Sequence, residues 1–405
     1  MTAPSLPPTE RLYWSQPQAC TFDANVIAVR GHGVALDQTL YYPEGGGQPC
    51  DAGTLRWNGS EVAVTDVQKE EGVIWHRLDG PLPGVEQRVT GTLDWGRRFR
   101  HSQRHTAEHL LAQAFSRIQP RFAVRSVSMR GPDCTLDLAG EPSEADAEAA
   151  QRMLLEAIRS DLTLETALVP AAELNRYPLR RPSQVSGQVR VVLFREAGGT
   201  IWEASACGGT HLPRASLAAP VVVTRLERVK GDLTRVTFLA GEEATERLSL
   251  VHRQATALAR SFGAGLERLP ERVQGLRGEL TIQTAEAEAL RRQVAGLLLK
   301  HAEAQPLPGG RFVLLEVEDE RLLRPLLDLA AERADGVTVA VCPGGQCGVT
   351  SSLPQLAAPT LLRGWLESAG GRGGGRPALA QGQTIRPAVF MQAARQWASE
   401  AGSPC

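Results

Sequence analysis

The stretch SQRHTAEHLLAQAF, Ser102 to Phe115, places His105 and His109 four residues apart with Glu108 between them. Leu110, Leu111, Ala114 and Phe115 recur at helical spacing, so the segment is predicted to be a helix. Residues four apart on a helix point the same way, and both imidazoles can therefore reach one ion. His101 adds a third histidine at the same interval. It falls at the expected start of the helix and reads as a solvated or capping residue. Three readings stay open for the pair: half of a metal site, the H-x-x-E-H zinc-protease pattern with Glu108 as the water-activating base, or two ordinary helix histidines.

A second cluster, ASACGGTHLP, narrows the choice. It carries Cys207 and His211 around Gly208 and Gly209, which allow a tight backbone turn. One thiolate and three imidazoles make a tetrahedral donor set of the kind zinc takes. A protease of the H-x-x-E-H type needs a carboxylate as third ligand, and a Cys-Gly-Gly-Thr-His turn would close the coordination sphere with sulfur instead.

Around these clusters the chain reads as an α+β multidomain protein. Its 405 residues are too many for one compact core. The composition is 42% hydrophobic and 22% charged with a net charge of −1, so overall charge does not advertise a nucleic-acid partner. Lysine occurs only at Lys69, Lys230 and Lys300; the remaining basic residues are arginine. The seven scattered cysteines fit reduced thiols, no apolar run reaches membrane-spanning length and the amino terminus lacks a signal-peptide pattern, so a cytoplasmic location is expected. Residues 1–90 alternate apolar and polar positions between turn signals such as Asn58-Gly59, as a β-rich, barrel-like domain would. Residues 91–245 mix helices and strands; the helix after Ser143 opens with a capping box to Asp146. Residues 246–305 are helical. Val273, Leu276, Leu280, Ala287, Leu290, Val294 and Leu297 mark a coiled-coil seam, as a helical hairpin or a dimer stalk. Residues 306–405 read as a last α/β unit, with a loop of glycines and arginines at Gly370–Gly382.

The motifs HTAEHLL and CGGTH resemble those of the alanyl-tRNA synthetase editing domain and its free-standing relatives, the AlaX trans-editing proteins. LYYPEGGGQPCDAGTL is similar to their glycine-rich motif, and GGRGGGRPALAQG to the DHHA1 domain at the synthetase carboxyl terminus. The resemblance runs in register over nearly the whole chain. Two departures lie close to the pocket: Glu108 stands where Thr or Leu is usual, and Ser205 and Ala206 replace larger residues.

The resemblance implies a zinc-dependent hydrolase, with one zinc ion on His105, His109, Cys207 and His211. Its substrate would be tRNA(Ala) wrongly carrying serine or glycine. The long class II catalytic core of the synthetase does not precede the β-rich domain, so no aminoacylation is expected. Thr106, beside a ligand, is a candidate for recognising the seryl hydroxyl, since a site built to bond a hydroxyl rejects the analogue lacking it. Glu108 is a second candidate for the chemistry. Gly45, Gly46 and Gly47 would let backbone amides approach the terminal adenosine, and Gln48 could read a polar group there. Arg372 and Arg376 suit phosphate contacts in a carboxyl-terminal domain that binds tRNA or forms a homodimer. The alternative from another class is a non-catalytic tRNA-binding module with a structural zinc.

Overall fold

The computed structural model describes residues 6–401 and divides the chain into two units at Thr256/Ala257. Cys405 lies outside the described residues.

In the first unit, six strands close into a barrel in the order Thr21–Arg30, Gly33–Leu36, Val73–Leu78, Ser60–Glu70, Gly53–Trp57, Arg88–Leu93. The first barrel strand alternates, so Phe22, Ala24 and Val26 face the interior while Thr21, Asp23 and Asn25 are exposed. Asn58 and Gly59 take φ of 45° and 80°, the left-handed pair that a two-residue hairpin turn needs.

A short helix α1, Leu12–Ser15, precedes the barrel, and helix α2, Trp95–Ile118, leaves it. The Asp94 side chain accepts the Arg97 N–H and caps α2. One turn on, Arg98 is buried against Asp51 and donates to the Leu40 carbonyl at 2.6 Å, tying the helix to the barrel. Because α2 starts at Trp95, His101 lies inside the helix and is 5% exposed, not solvated at its start. Burial, and then Arg104, Arg97 and Arg98, push its pKa down to about 3.

Beyond the barrel and a two-stranded parallel pair, Glu10–Arg11 with Gln38–Thr39, this unit holds two antiparallel sheets. One runs Val221–Arg228, Leu233–Ala240, Cys134–Ala139, Val124–Ser128; the other runs Thr163–Pro170, Gln188–Arg195, Ile201–Ala206. Helix α3, Glu144–Arg159, begins with the expected capping box of Ser143 and Asp146. Its apolar face and that of α2 share one core with the sheets, including Leu111, Phe115, Leu154 and Phe238. Helix α4, Gly241–Ser261, sends Glu243 onto the buried Arg104 of α2 as a two-pronged ion pair, at 2.6 and 2.5 Å.

The second unit holds helix α5, Leu269–His301, and a six-stranded mixed sheet ordered Ala304–Leu307, Gly310–Glu316, Gly336–Val341, Gln346–Ser351, Leu379–Thr384, Gly371–Arg376. Helices α6, Leu323–Arg333, α7, Ala358–Ala369, and α8, Pro387–Ala401, pack on it. Within α5, Ala295 and Leu299 are buried with residues of α6, whereas the heptad positions Leu280 and Leu290 are 64% and 60% exposed. The face that docks is therefore not the heptad seam. The glycine-arginine segment is also not a loop. Gly371–Arg376 is an edge strand paired with Leu379–Thr384. A Cβ at Gly375 would meet the Leu379 carbonyl oxygen at 2.3 Å, so glycine is what permits the close pairing. Among the described residues no helix is long and apolar enough to cross a membrane.

Candidate metal centre

Two elements far apart in sequence meet on α2. His105 and His109 come from its buried face, and Cys207 and His211 from the turn that follows the strand Ile201–Ala206. The four donor atoms lie within 4.8 Å of one another. Cys207 Sγ is 3.4 Å from both His105 Nε2 and His211 Nε2. Those separations match the edges of a small tetrahedron of sulfur and nitrogen ligands.

The turn is held from several sides. A Cβ on Gly209 would sit 2.1 Å from His105 Cε1, so only glycine lets the backbone pass the imidazole. The Gly209 N–H points at Cys207 Sγ, 3.3 Å away. Arg190 donates to the Gly209 and Cys207 carbonyls at 2.8 and 3.1 Å, and the Trp14 indole donates to the Gly208 carbonyl at 2.9 Å.

The imidazoles are oriented from behind. His105 Nδ1 is 2.7 Å from Gln48 Oε1, which also accepts the Thr210 N–H at 3.1 Å. An amide oxygen cannot donate, so the His105 proton sits on Nδ1 and Nε2 is left for an ion. His109 Nδ1 faces Glu203 at 3.3 Å, which leaves its Nε2 inward as well. Burial opposes charge on His109, but Glu203 and the Cys207 thiolate outweigh it and raise its pKa to about 10. Burial also pushes the Cys207 thiol up, and the three imidazoles outweigh it and hold it well below its ordinary value. A thiolate among inward-facing imidazole nitrogens is the donor chemistry a metal ion needs, and the cluster can hold one. The group contains no carboxylate ligand of the kind the protease pattern requires.

Beside the cluster opens a cavity of about 790 Å³. His105, Glu108, His109, Ser205 and Cys207 form its floor, and Arg11, Lys69, Arg125, Arg180 and Arg181 bring positive charge to its walls. Gly45, Gly46 and Gly47 line it too. Gly46 and Gly47 take φ of 59° and 83°, and a Cβ on Gly47 would meet Val127 at 2.8 Å. Each of those two glycines thus has a backbone reason to be there.

Two expected site residues face elsewhere. Gln48 is fully buried, and its amide is spent on His105 and Thr210, so it orients His105 and does not face the cavity. Thr106 is fully buried and its hydroxyl accepts the Leu212 N–H at 3.0 Å. One residue along a helix is about 100° of rotation, which carries Thr106 off the face that His105 presents. Arg372 and Arg376 are exposed on the edge strand of the second unit. Glu203, Arg190 and Trp14 were not singled out from sequence. For Glu203 a signal existed: in a strand, positions 203 and 205 share a face, and that face leads to Cys207.

Residues 14–97 match the family model described as tRNA synthetases class II (A). The chain is 32% identical over 392 residues to the alanine–tRNA ligase of Pyrococcus abyssi, which covers 93% of this chain and 42% of that protein. It is 32% identical over 395 residues to the ligase of Thermococcus kodakarensis, covering 94% and 42%. The chain thus spans less than half the length of these curated relatives. Among solved structures, the C-Ala domain from Aquifex aeolicus alanyl-tRNA synthetase aligns with 25% of this chain and 99% of that chain, at 21% identity and a TM-score of 0.22.

Proposed function

We propose that the protein is a trans-editing hydrolase that deacylates tRNA(Ala) carrying serine, and also glycine, with one zinc ion on His105, His109, Cys207 and His211. The observation that carries this reading is the meeting of those four donors, three of which (His105, His109 and Cys207) line a cavity with cationic walls. The similarity to alanine–tRNA ligases supports a tRNA substrate. Zinc in this donor set would supply a Lewis acid beside the ester carbonyl.

The chain's own residues do the remaining work. Gln48 and Glu203 hold the His105 and His109 rings in one orientation. Arg190 and Trp14 fix the Cys207 turn. Arg11, Lys69, Arg125 and Arg181 attract the phosphates of the acceptor end. An aminoacyl ester is already activated, so orienting it next to water contributes much of the rate. In the second unit, Arg372 and Arg376 contact the body of the tRNA, and the exposed seam of α5 pairs two copies.

The second reading is a non-catalytic tRNA-binding module with a structural zinc. Four protein donors favour it, because a closed tetrahedral set is typical of structural sites. Deacylation of Ser-tRNA(Ala) beside Ala-tRNA(Ala) separates the two. The hydrolase reading expects release of serine with alanine spared; tight tRNA binding without release establishes the module.

A further inference from the structure

Two carboxylates flank His109, and they are not equivalent: Glu108 lines the cavity, whereas Glu203 lies behind the imidazole. Glu203 is 1% exposed; one oxygen accepts the Ser205 hydroxyl and the other faces His109 Nδ1. Glu108 is 4% exposed and lines the cavity, yet no hydrogen bond to its carboxylate is found among the described residues. Its nearest charged neighbours are His109 Nε2 at 3.7 Å and Arg180 Nη2 at 3.9 Å, both beyond hydrogen-bond reach. Arg180 is shared with Glu203, from which its Nε is 3.6 Å away. A carboxylate this buried needs donors, and here they must come from whatever enters the cavity.

Resting on the hydrolase reading above, we infer that Glu108 binds the free α-ammonium of the aminoacyl ester and restricts the substrate class to esters with an unblocked amino group. The geometry requires little else. The α-nitrogen is two bonds from the ester carbonyl carbon, so a carbonyl presented to the His109 side of the cluster brings the ammonium alongside Glu108 Oε2. An ammonium offers three donors, which a carboxylate without hydrogen bonds can accept. Peptidyl and N-acyl esters lack that charge, and blocking the nitrogen leaves Glu108 unbonded, so they are rejected. The carboxylate is thus a specificity residue, not the proton acceptor of the protease pattern.

The experiment compares Ser-tRNA(Ala) with N-acetyl-Ser-tRNA(Ala) as substrates. It also measures binding of the non-hydrolysable amide 3′-(serylamino)-adenosine and its N-acetyl form by calorimetry. The wild-type protein is expected to favour the free amine in both assays. Glu108→Gln exchanges a charge-assisted bond for a neutral one, so KM for the free amine should rise about tenfold. Its kcat should fall by much less than the ~100-fold expected on losing a required base. The N-acetyl substrate should be unaffected by the change, metal content unchanged, and Glu108→Asp intermediate. Wild-type protein that treats both amines alike, loss of metal in Glu108→Gln, or an equal fall in kcat on both substrates would each overturn the inference. Selective binding of the free-amine analogue without any hydrolysis would instead overturn the hydrolase reading and leave the ammonium site standing. Neither binding nor hydrolysis would remove both.

Discussion

Gln48 and Glu203 touch the imidazoles from the side away from the cavity, so their effect on an ion is indirect. Partners of this kind are worth about 10- to 100-fold in metal affinity. Gln48→Ala and Glu203→Gln are each expected to lose metal to a chelator at about 10- to 100-fold lower chelator concentration, measured by competition titration; unchanged retention would show the rings are held by packing alone. The donors were legible in the sequence because each pair is local, four residues apart. Gln48 was not legible as a positioning residue, because its 57-residue separation from His105 closes only in the fold. Thr106 illustrates the converse, a residue beside a ligand in sequence but turned from the cavity in space. A different residue, His76, sets a pH dependence of the fold. It is fully buried, with Nε2 2.9 Å from the Thr39 hydroxyl and Nδ1 3.2 Å from the Val34 carbonyl, which suits the neutral ring. Burial lowers its pKa from 6.5 to about 4. The unfolded chain therefore binds this proton first, and stability is full above pH 6.5 and declines as pH falls toward 4. That window is worth about 3 kcal/mol. Thermal midpoints of wild type and His76→Gln should converge as pH falls through it, and parallel profiles would contradict the assignment.

At the scale of elements, the barrel strands and the helices α2, α3 and α5 follow from periodicity and caps. Asn58-Gly59 and Ser143 to Asp146 each behave as their local chemistry dictates. Partners are harder to read. The repeat in α5 says that one face is apolar, not what covers it, and the residues that dock are Ala295 and Leu299 instead. Likewise the glycines at 373–375 read as flexibility, whereas Gly373 and Gly375 permit an edge strand to pair closely. With Leu280, Leu290 and Leu297 exposed by 57% to 64%, a second copy is the occupant that heptad spacing fits. The double change Leu280→Glu and Leu290→Glu is expected to turn a dimer into a monomer in sedimentation analysis without altering metal content. A wild-type chain that sediments as a monomer would exclude this use of the seam.

On the scale of the whole molecule, every proposed ligand and the cavity lie within the first unit, which ends at Thr256. The sequence alone places the end of this part near residue 245, but the structure gives a reason to keep more of α4. Arg104, buried on α2 beside His105, has Glu243 as its two-pronged partner, and Arg100 pairs with Glu242 and Glu246. Stripping one partner from a buried ion pair costs about 3–5 kcal/mol. A chain cut at Gly241 is therefore expected to lose metal and unfold at lower temperature, whereas one ending at Ser261 keeps both metal and kcat. On the proposed function the second unit would contribute through tethering, its arginines raising the local concentration of tRNA at the cavity without changing the bound ester. Removing it should raise KM for full-length mischarged tRNA. It should also flatten the dependence of binding on salt, by roughly one logarithmic unit of slope for each phosphate that its arginines no longer neutralise. Minihelix substrates, which carry only the acceptor end, should show no such penalty. If the Ser261 chain handles tRNA and minihelix with the KM of the intact protein, the second unit does not touch RNA, and the exposed seam of α5 becomes its remaining assignable role.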